Sequence, residues 1–301
     1  GLAIAAVLVG RATDGGWETV TASVLPTVLD WRLPRVLAAL AAGALLAAAG
    51  VILQRLTAND MASPEVIGVS AGATMGLAVS LLLAATPGIA MQLGFSFTGA
   101  ALVLALIFMV AGRSGFVPER IVLAGIALNA MLDAFVGLFA AAGDPRALRL
   151  LNWMAGSTYG IELTPALTAA GLSVVLVALA CLTMRWLDIL PLGSATAQAL
   201  GIAVKRTRGL LFAAAVGLTA AATLVVGPLS FVGLMAPHIA RELGLKRALP
   251  QLAGAALCGA ALMVIADFIG RNAHFPYQLP AGLLSALVGA PFLMLLLLKR
   301  R

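Results

Sequence analysis

The feature that most limits this chain's fold is Gly227-Pro-Leu-Ser-Phe-Val-Gly-Leu-Met-Ala-Pro-His-Ile-Ala-Arg241, an apolar stretch carrying two prolines. Pro228 and Pro237 bracket eight mostly apolar residues. Eight residues make about 12 Å of helix, against a hydrocarbon core about 30 Å thick. Each proline removes a backbone donor and crowds the turn before it. Backbone broken at membrane depth persists only where neighbouring protein or a water-lined cavity satisfies it. The stretch therefore predicts a buried half-helix whose structural residues are Gly227, Pro228, Gly233, Pro237 and His238, with the other helices arranged around it. Discontinuous helices of this kind are a feature of transport proteins.

Composition supports a membrane setting. The chain is 62% hydrophobic and 10% charged, whereas soluble domains carry about 25% charged residues. The net charge of +7 is distributed in short basic tracts between apolar runs, which fits topology signals and not a nucleic-acid surface. Cys181 and Cys258 both fall inside apolar runs and read as small packing residues, not as disulfide or metal ligands.

The apolar runs predict an all-α membrane protein of ten spans. A remnant at 1–9 is followed by spans at 36–56, from Gly68 onward, and at 96–112, 120–143, 163–184 and 208–226. The broken segment and spans at 251–270 and 279–298 complete the set. The opening run lacks a basic stretch before it and reads as the truncated first span of a longer protein, not as a signal peptide. Gly68, Gly72 and Gly76 form a doubled small-xxx-small pattern, the signature of a close helix contact. Asp144-Pro145 reads as an N-cap and first helical residue of a short interfacial helix reaching Trp153. Ser194 reads as the cap of a short helix ended by Gly201.

Orientation follows from counting basic residues. With the remnant span running from inside to outside, the inner side holds Arg55, Arg113, Arg120, Arg185, Lys205, Arg206, Arg208, Arg241, Lys246, Arg247, Lys299, Arg300 and Arg301. The outer side holds Arg11, Arg32, Arg35, Arg146, Arg149 and Arg271. Thirteen against six selects this topology, with both ends cytoplasmic.

Motifs for covalent chemistry are absent from the sequence: there is no Walker A loop, no HExxH and no nucleophile elbow. His238 and His274 lack partners at metal-ligand spacing. His238, after Pro237, reads as a capping or interface residue, and His274, beside Phe275, as a surface residue. An acid in mid-span is by default functional, so Asp133, one turn from Asn129, is a candidate lining residue. The competing reading is a protonated or backbone-bonded carboxyl between helices.

The stretch from Gly227 to Arg241 closely resembles the signature of the permease family that imports iron-siderophores, haem and vitamin B12 within binding-protein-dependent ABC transporters (FecCD type). The resemblance extends over Arg32-Leu-Pro-Arg35, the run from Gln54 to Gly68, Leu123 to Ala127, Trp153 to Ser157, Leu192-Gly193 with Ala199-Leu-Gly201, Ala266-Asp267, Leu279 to Leu283 and Gly289 to Pro291. Within the family, Gln54-Arg-Leu-Thr, Met61 to Val66 and Gly156-Ser-Thr-Tyr look most like the second half of the fused ferric hydroxamate permease. That would make residues 1–301 one ten-helix unit of a larger polypeptide.

The resemblance implies a set of partners and roles. Two copies of a cytoplasmic ABC ATPase, which bind the ATP-Mg, would engage Ser194, Ala195, Gln198, Ala199, Leu200 and Gly201, helped by Lys205 and Arg206. A periplasmic siderophore-binding protein would dock on Arg32, Arg35 and Arg271, for which interfacial anchoring is the alternative role. A second permease half, fused or separate, would complete a path lined by Asn129, Asp133 and Met75. No cofactor is implied for this chain. The chain departs from the family at Asn59-Asp60, where Asn-Pro is usual, which adds a charge and frees the backbone of that turn. Cobalamin, haem or a catecholate siderophore remain alternative cargoes. An ion-coupled secondary transporter using Asp133 and, more distantly, a membrane-embedded enzyme remain alternative classes.

Overall fold

A computed structural model describes residues 1–11, 17–19, 25–84, 87–113, 118–143, 146–274 and 277–299. The expected cap at Asp144-Pro145 and the final Arg300-Arg301 lie outside the described residues. In chain order the elements begin with α1 (Leu2–Leu8), then β1 (Val9–Arg11), paired antiparallel with β2 (Trp17–Thr19). The helices α2 (Leu25–Thr57), α3 (Val69–Leu83), α4 (Ile89–Arg113), α5 (Pro118–Ala141), α6 (Arg146–Met154) and α7 (Leu163–Ile189) follow. The chain continues with α8 (Ser194–Ala199), α9 (Val204–Val226), α10 (Val232–Glu242), α11 (Ala248–Asn272) and α12 (Ala281–Lys299). A 3-10 turn, Pro64–Ile67, joins α2 to α3.

α2 is the axis of the bundle. Its apolar window is 83% buried, against 22% for α7, so α2 is encased by protein where α7 is largely at the surface. It packs against α7, α9, α10 and α11. Its Ala- and Gly-rich sequence makes this possible, since small residues let backbones approach in a medium that offers no hydrophobic drive for association. A Cβ on Gly43 would lie 2.2 Å from the carbonyl oxygen of Gly259 on α11, and one on Gly259 would lie 2.3 Å from that of Gly43. The sequence pattern at Gly72 and Gly76 has the same basis, since both press on the α4 backbone at Gly99 and Phe95. Gly68 differs: it takes the left-handed conformation (φ 85°) that ends the 3-10 turn.

Several boundaries depart from the sequence reading. α2 starts at Leu25 and runs through Pro34, so Arg32 and Arg35 lie on the helix and not before it. Pro34 forfeits a hydrogen bond to the carbonyl four residues earlier, and Asp30, the residue that carries that carbonyl, is exposed. α7 and α9 each extend about a turn past the apolar run, and these turns bury Leu187 and Thr207 while Arg185, Lys205 and Arg206 stay exposed. The short α8 has Gly193 at its N-cap and no side-chain cap, so Ser194 is its first residue.

Among the described residues five helices are long and apolar enough to cross a membrane, and Val69–Leu83, Leu123–Phe139 and Ala281–Leu296 are apolar but shorter. With the short α1 and α10 they fill the ten expected positions. As a count of full spans, ten is therefore a loose figure.

Candidate functional site

The half-helix differs from its sequence expectation in one respect. α10 starts after Phe231 and passes through Pro237, which lies inside the helix and does not end it. Its 11 residues give about 16 Å of helix, about half the hydrocarbon thickness. Pro237 has no N–H, so the carbonyl of Gly233 loses its helical partner. That carbonyl faces Gly50 on α2, where a Cβ would lie 1.8 Å away. Only a glycine at position 50 lets the two backbones meet.

The bend before α10 has its backbone groups satisfied by three other segments. The Ser157 amide donates to Val226 O at 2.8 Å, and Ser285 Oγ donates to Ser230 O at 3.1 Å. Gly227 (φ 81°) lies so close to Trp153 that a Cβ would meet its carbonyl at 2.4 Å. The Gly282 amide of α12 donates to Gly156 O at 2.9 Å. Phe231 holds a left-handed conformation (φ 69°), rare for a residue with a side chain, and its amide donates to Glu65 Oε1 at 2.6 Å. A carboxylate at this helix start also suits the helix dipole. Three separated motifs, at 153–157, 227–241 and 279–283, thus meet at one bend.

At one end of the bundle, two buried glutamines support α10. Gln54 Nε2 donates to Leu234 O at 3.3 Å, and Gln251 Nε2 donates to Pro237 O at 3.4 Å. Each glutamine in turn accepts from an arginine: Arg241 Nη1 reaches Gln54 Oε1 at 2.8 Å, and Arg55 Nε reaches Gln251 Oε1 at 2.6 Å. Arg241 also pairs with Asp60 at 3.3 Å, which gives the unusual acid in the α2–α3 turn a partner on the half-helix. His238 faces Glu242 at 3.6 Å and sets its ring edge-on to Phe292.

At the opposite end, Arg32, Arg35 and Arg271 line one cavity of 630 Å³ with Asp30, Trp31, Tyr159, Glu162, Asn272 and Gln278. Behind it lies Asp267, fully buried. Arg35 Nε and Nη2 donate to Asp267 Oδ1 at 3.1 and 3.0 Å, and Thr158 Oγ1 donates to the same oxygen. Arg271 Nε lies 2.9 Å from Oδ2. Arg35 also donates to Gln278 and lies over the Tyr159 ring. Arg32 Nη1 donates to Val7 O at 3.1 Å. Arg35 and Arg55 are twenty positions apart on α2, about 30 Å, so the two polar ends are separated by one hydrocarbon thickness.

The other predicted residues divide into two groups. Ser194, Ala195, Gln198, Ala199, Leu200, Gly201, Lys205 and Arg206 are all exposed, with Ala197 of α8 turned inward. Asn129 and Asp133 lie on α5 and Met75 on α3, which packs against it. Asn129 Nδ2 donates to Glu65 O at 2.9 Å, Asp133 is exposed on α5, and Met75 is half-buried on α3. Among the described residues no three His, Cys, Asp or Glu side chains cluster as a metal site. Sequence reasoning missed Glu65, Gln251, Asp188 and the role of Asp267; each is a polar residue in or beside an apolar run, and Glu65 and Asp267 also fall in stretches that carry the family resemblance.

A helical bundle built on a buried central helix, with a broken half-helix and polar clusters at both ends, defines a membrane transport protein. The chain belongs to the FecCD transport family, whose model matches residues 2–299. It is 48% identical over 285 residues to the iron(3+)-hydroxamate import system permease protein FhuB of Salmonella typhimurium, covering 95% of this chain and 42% of the relative. It is 38% identical over 278 residues to the ferric enterobactin transport system permease protein FepG of Escherichia coli, covering 92% of this chain and 84% of the relative. The chain thus spans less than half the length of its FhuB relative. Its fold superposes on a solved inward-facing metal-chelate type ABC transporter with a TM-score of 0.87 and 26% identity, covering 99% and 95% of the two chains.

Proposed function

We propose that this chain is a permease unit of a binding-protein-dependent ABC importer that carries ferric hydroxamate siderophores from periplasm to cytoplasm. The observation that carries the cargo assignment is the identity of 48% with a hydroxamate permease, ten points above that with an enterobactin permease. The site geometry supports the machine. Arg32, Arg35 and Arg271 converge on one outer cavity, where carboxylates of a binding protein would gain steering and register. At the other end the exposed α8 loop, with Lys205 and Arg206, offers a contact for a cytoplasmic ATPase that binds ATP-Mg. Asp133 is exposed in mid-span, a costly position against lipid, which fits a path closed by a second permease half.

The test is uptake of radiolabelled ferric hydroxamate by cells whose own permease is deleted and replaced by the one containing this chain. Uptake restored for the hydroxamate, and not for ferric enterobactin or cobalamin, supports the assignment. Restoration of a different cargo contradicts it.

A further inference from the structure

The polar cluster around Gln54 and Gln251 has a connectivity that the transport reading does not use. Asp188 closes α7 six residues before α8 begins. Its Oδ1 accepts Arg55 Nη1 at 2.9 Å and the Ala248 amide, the first of α11, at 3.0 Å. The carboxylate thus sits at the positive end of α11, while Arg55 sits at the negative end of α2. Arg55 spends its remaining donors on Gln251 Oε1 at 2.6 Å and on the Lys246 carbonyl of the α10–α11 loop. Gln251 then holds Pro237 O of the half-helix. One guanidinium therefore ties the ends of α2 and α7, the loop after α10 and the first turn of α11. A planar fork of fixed donors suits that task, which lysine with a single point charge does not.

We propose that Arg55 is a positioning residue that makes the end of α7, and with it the α8 loop, move as one body with the half-helix α10. The inference rests on the reading of α8 as the ATPase contact, under which Asp188–Arg55–Gln251–Pro237 is a hydrogen-bonded connection from that contact to the broken backbone. Without Arg55 the α8 loop still engages the ATPase, but its displacement is no longer delivered to α10.

The experiment uses the complete transporter containing this chain, with its ATPase and binding protein, in proteoliposomes. Iron imported and ATP hydrolysed are measured together for the native protein, Asp188→Asn, Arg55→Gln and the double variant. Asp188 has 45% of its side chain exposed, so Asp188→Asn folds even if Arg55→Gln does not. The expected result is a several-fold rise in ATP hydrolysed per iron imported in each single variant, and no further rise in the double variant, since both break the same ion pair, Asp188→Asn by removing its negative charge and Arg55→Gln by removing its guanidinium. Faster hydrogen exchange at 232–242 accompanies it, a readout independent of ATP. Native stoichiometry and native exchange in Asp188→Asn and Arg55→Gln overturn the inference alone. A native transporter that imports iron without ATP instead overturns the ABC reading, and the exchange result then decides whether Arg55 holds α10.

Discussion

Glu65 accepts the backbone N–H of Phe231 at 2.6 Å across 166 residues of sequence. This bond fixes the start of the half-helix, and Phe231 is the residue whose backbone is least at ease there. Left-handed backbone costs a residue with a side chain about 1–2 kcal/mol, and Phe231 is held in it from both sides: its amide on Glu65, its side chain against Gly289 of α12. Glu65→Ala leaves that amide without its acceptor, a loss of about 1–3 kcal/mol. Glu65→Gln keeps an acceptor and loses less. Thermal unfolding of the purified permease in detergent ranks the two variants.

Gly50 and Gly171 make a paired test of close packing. Both are helical, but a Cβ at Gly50 meets the Gly233 backbone, whereas one at Gly171 meets nothing within 4 Å. Gly50→Ala is expected to destabilise by about 1–3 kcal/mol or more through overpacking. Gly171→Ala is expected to be neutral or to stabilise by up to about 1 kcal/mol through helix propensity. Melting temperatures measured side by side check both signs.

Asp267 is expected to be more damaging to lose than Arg32. Removing one partner of a buried ion pair costs about 3–5 kcal/mol because the remaining charge is stranded, and Asp267→Asn strands both Arg35 and Arg271. Arg32→Gln instead leaves the buried pair intact. Membrane-extracted yield and melting temperature should fall for Asp267→Asn and hold for Arg32→Gln. Under the docking reading, Arg32→Gln still weakens binding-protein association and flattens its salt dependence.

Much of the fold was legible because membrane depth leaves so few solutions. Two prolines in a short apolar run announced the half-helix, and Gly72 and Gly76 announced their helix contact. What the sequence could not show is which way Pro237 would be accommodated. A proline usually ends a helix, but here Gln54, Gln251 and the close face of Gly50 support the backbone around it, and these residues lie up to 187 positions away. Arg32, Arg35 and Arg271 were legible as a group, but not the hold of Arg35 and Arg271 on Asp267, since long-range ion pairing leaves no local pattern. Asp60 in place of the usual proline has no local cause, because its partner Arg241 is 181 positions further along the chain.

The measurement that tests the central claim most directly is uptake of radiolabelled ferric hydroxamate by proteoliposomes holding the complete transporter, with the native α8 loop or with Ala199→Glu plus Gly201→Glu. The account predicts uptake that requires ATP inside the cytoplasmic face, survives an uncoupler, and is lost in the loop variant although the protein is still present in the membrane. Uptake that proceeds without ATP, is unaffected by the loop variant and collapses with the uncoupler would contradict it, and would move attention to Asp133 as an ion-coupling group.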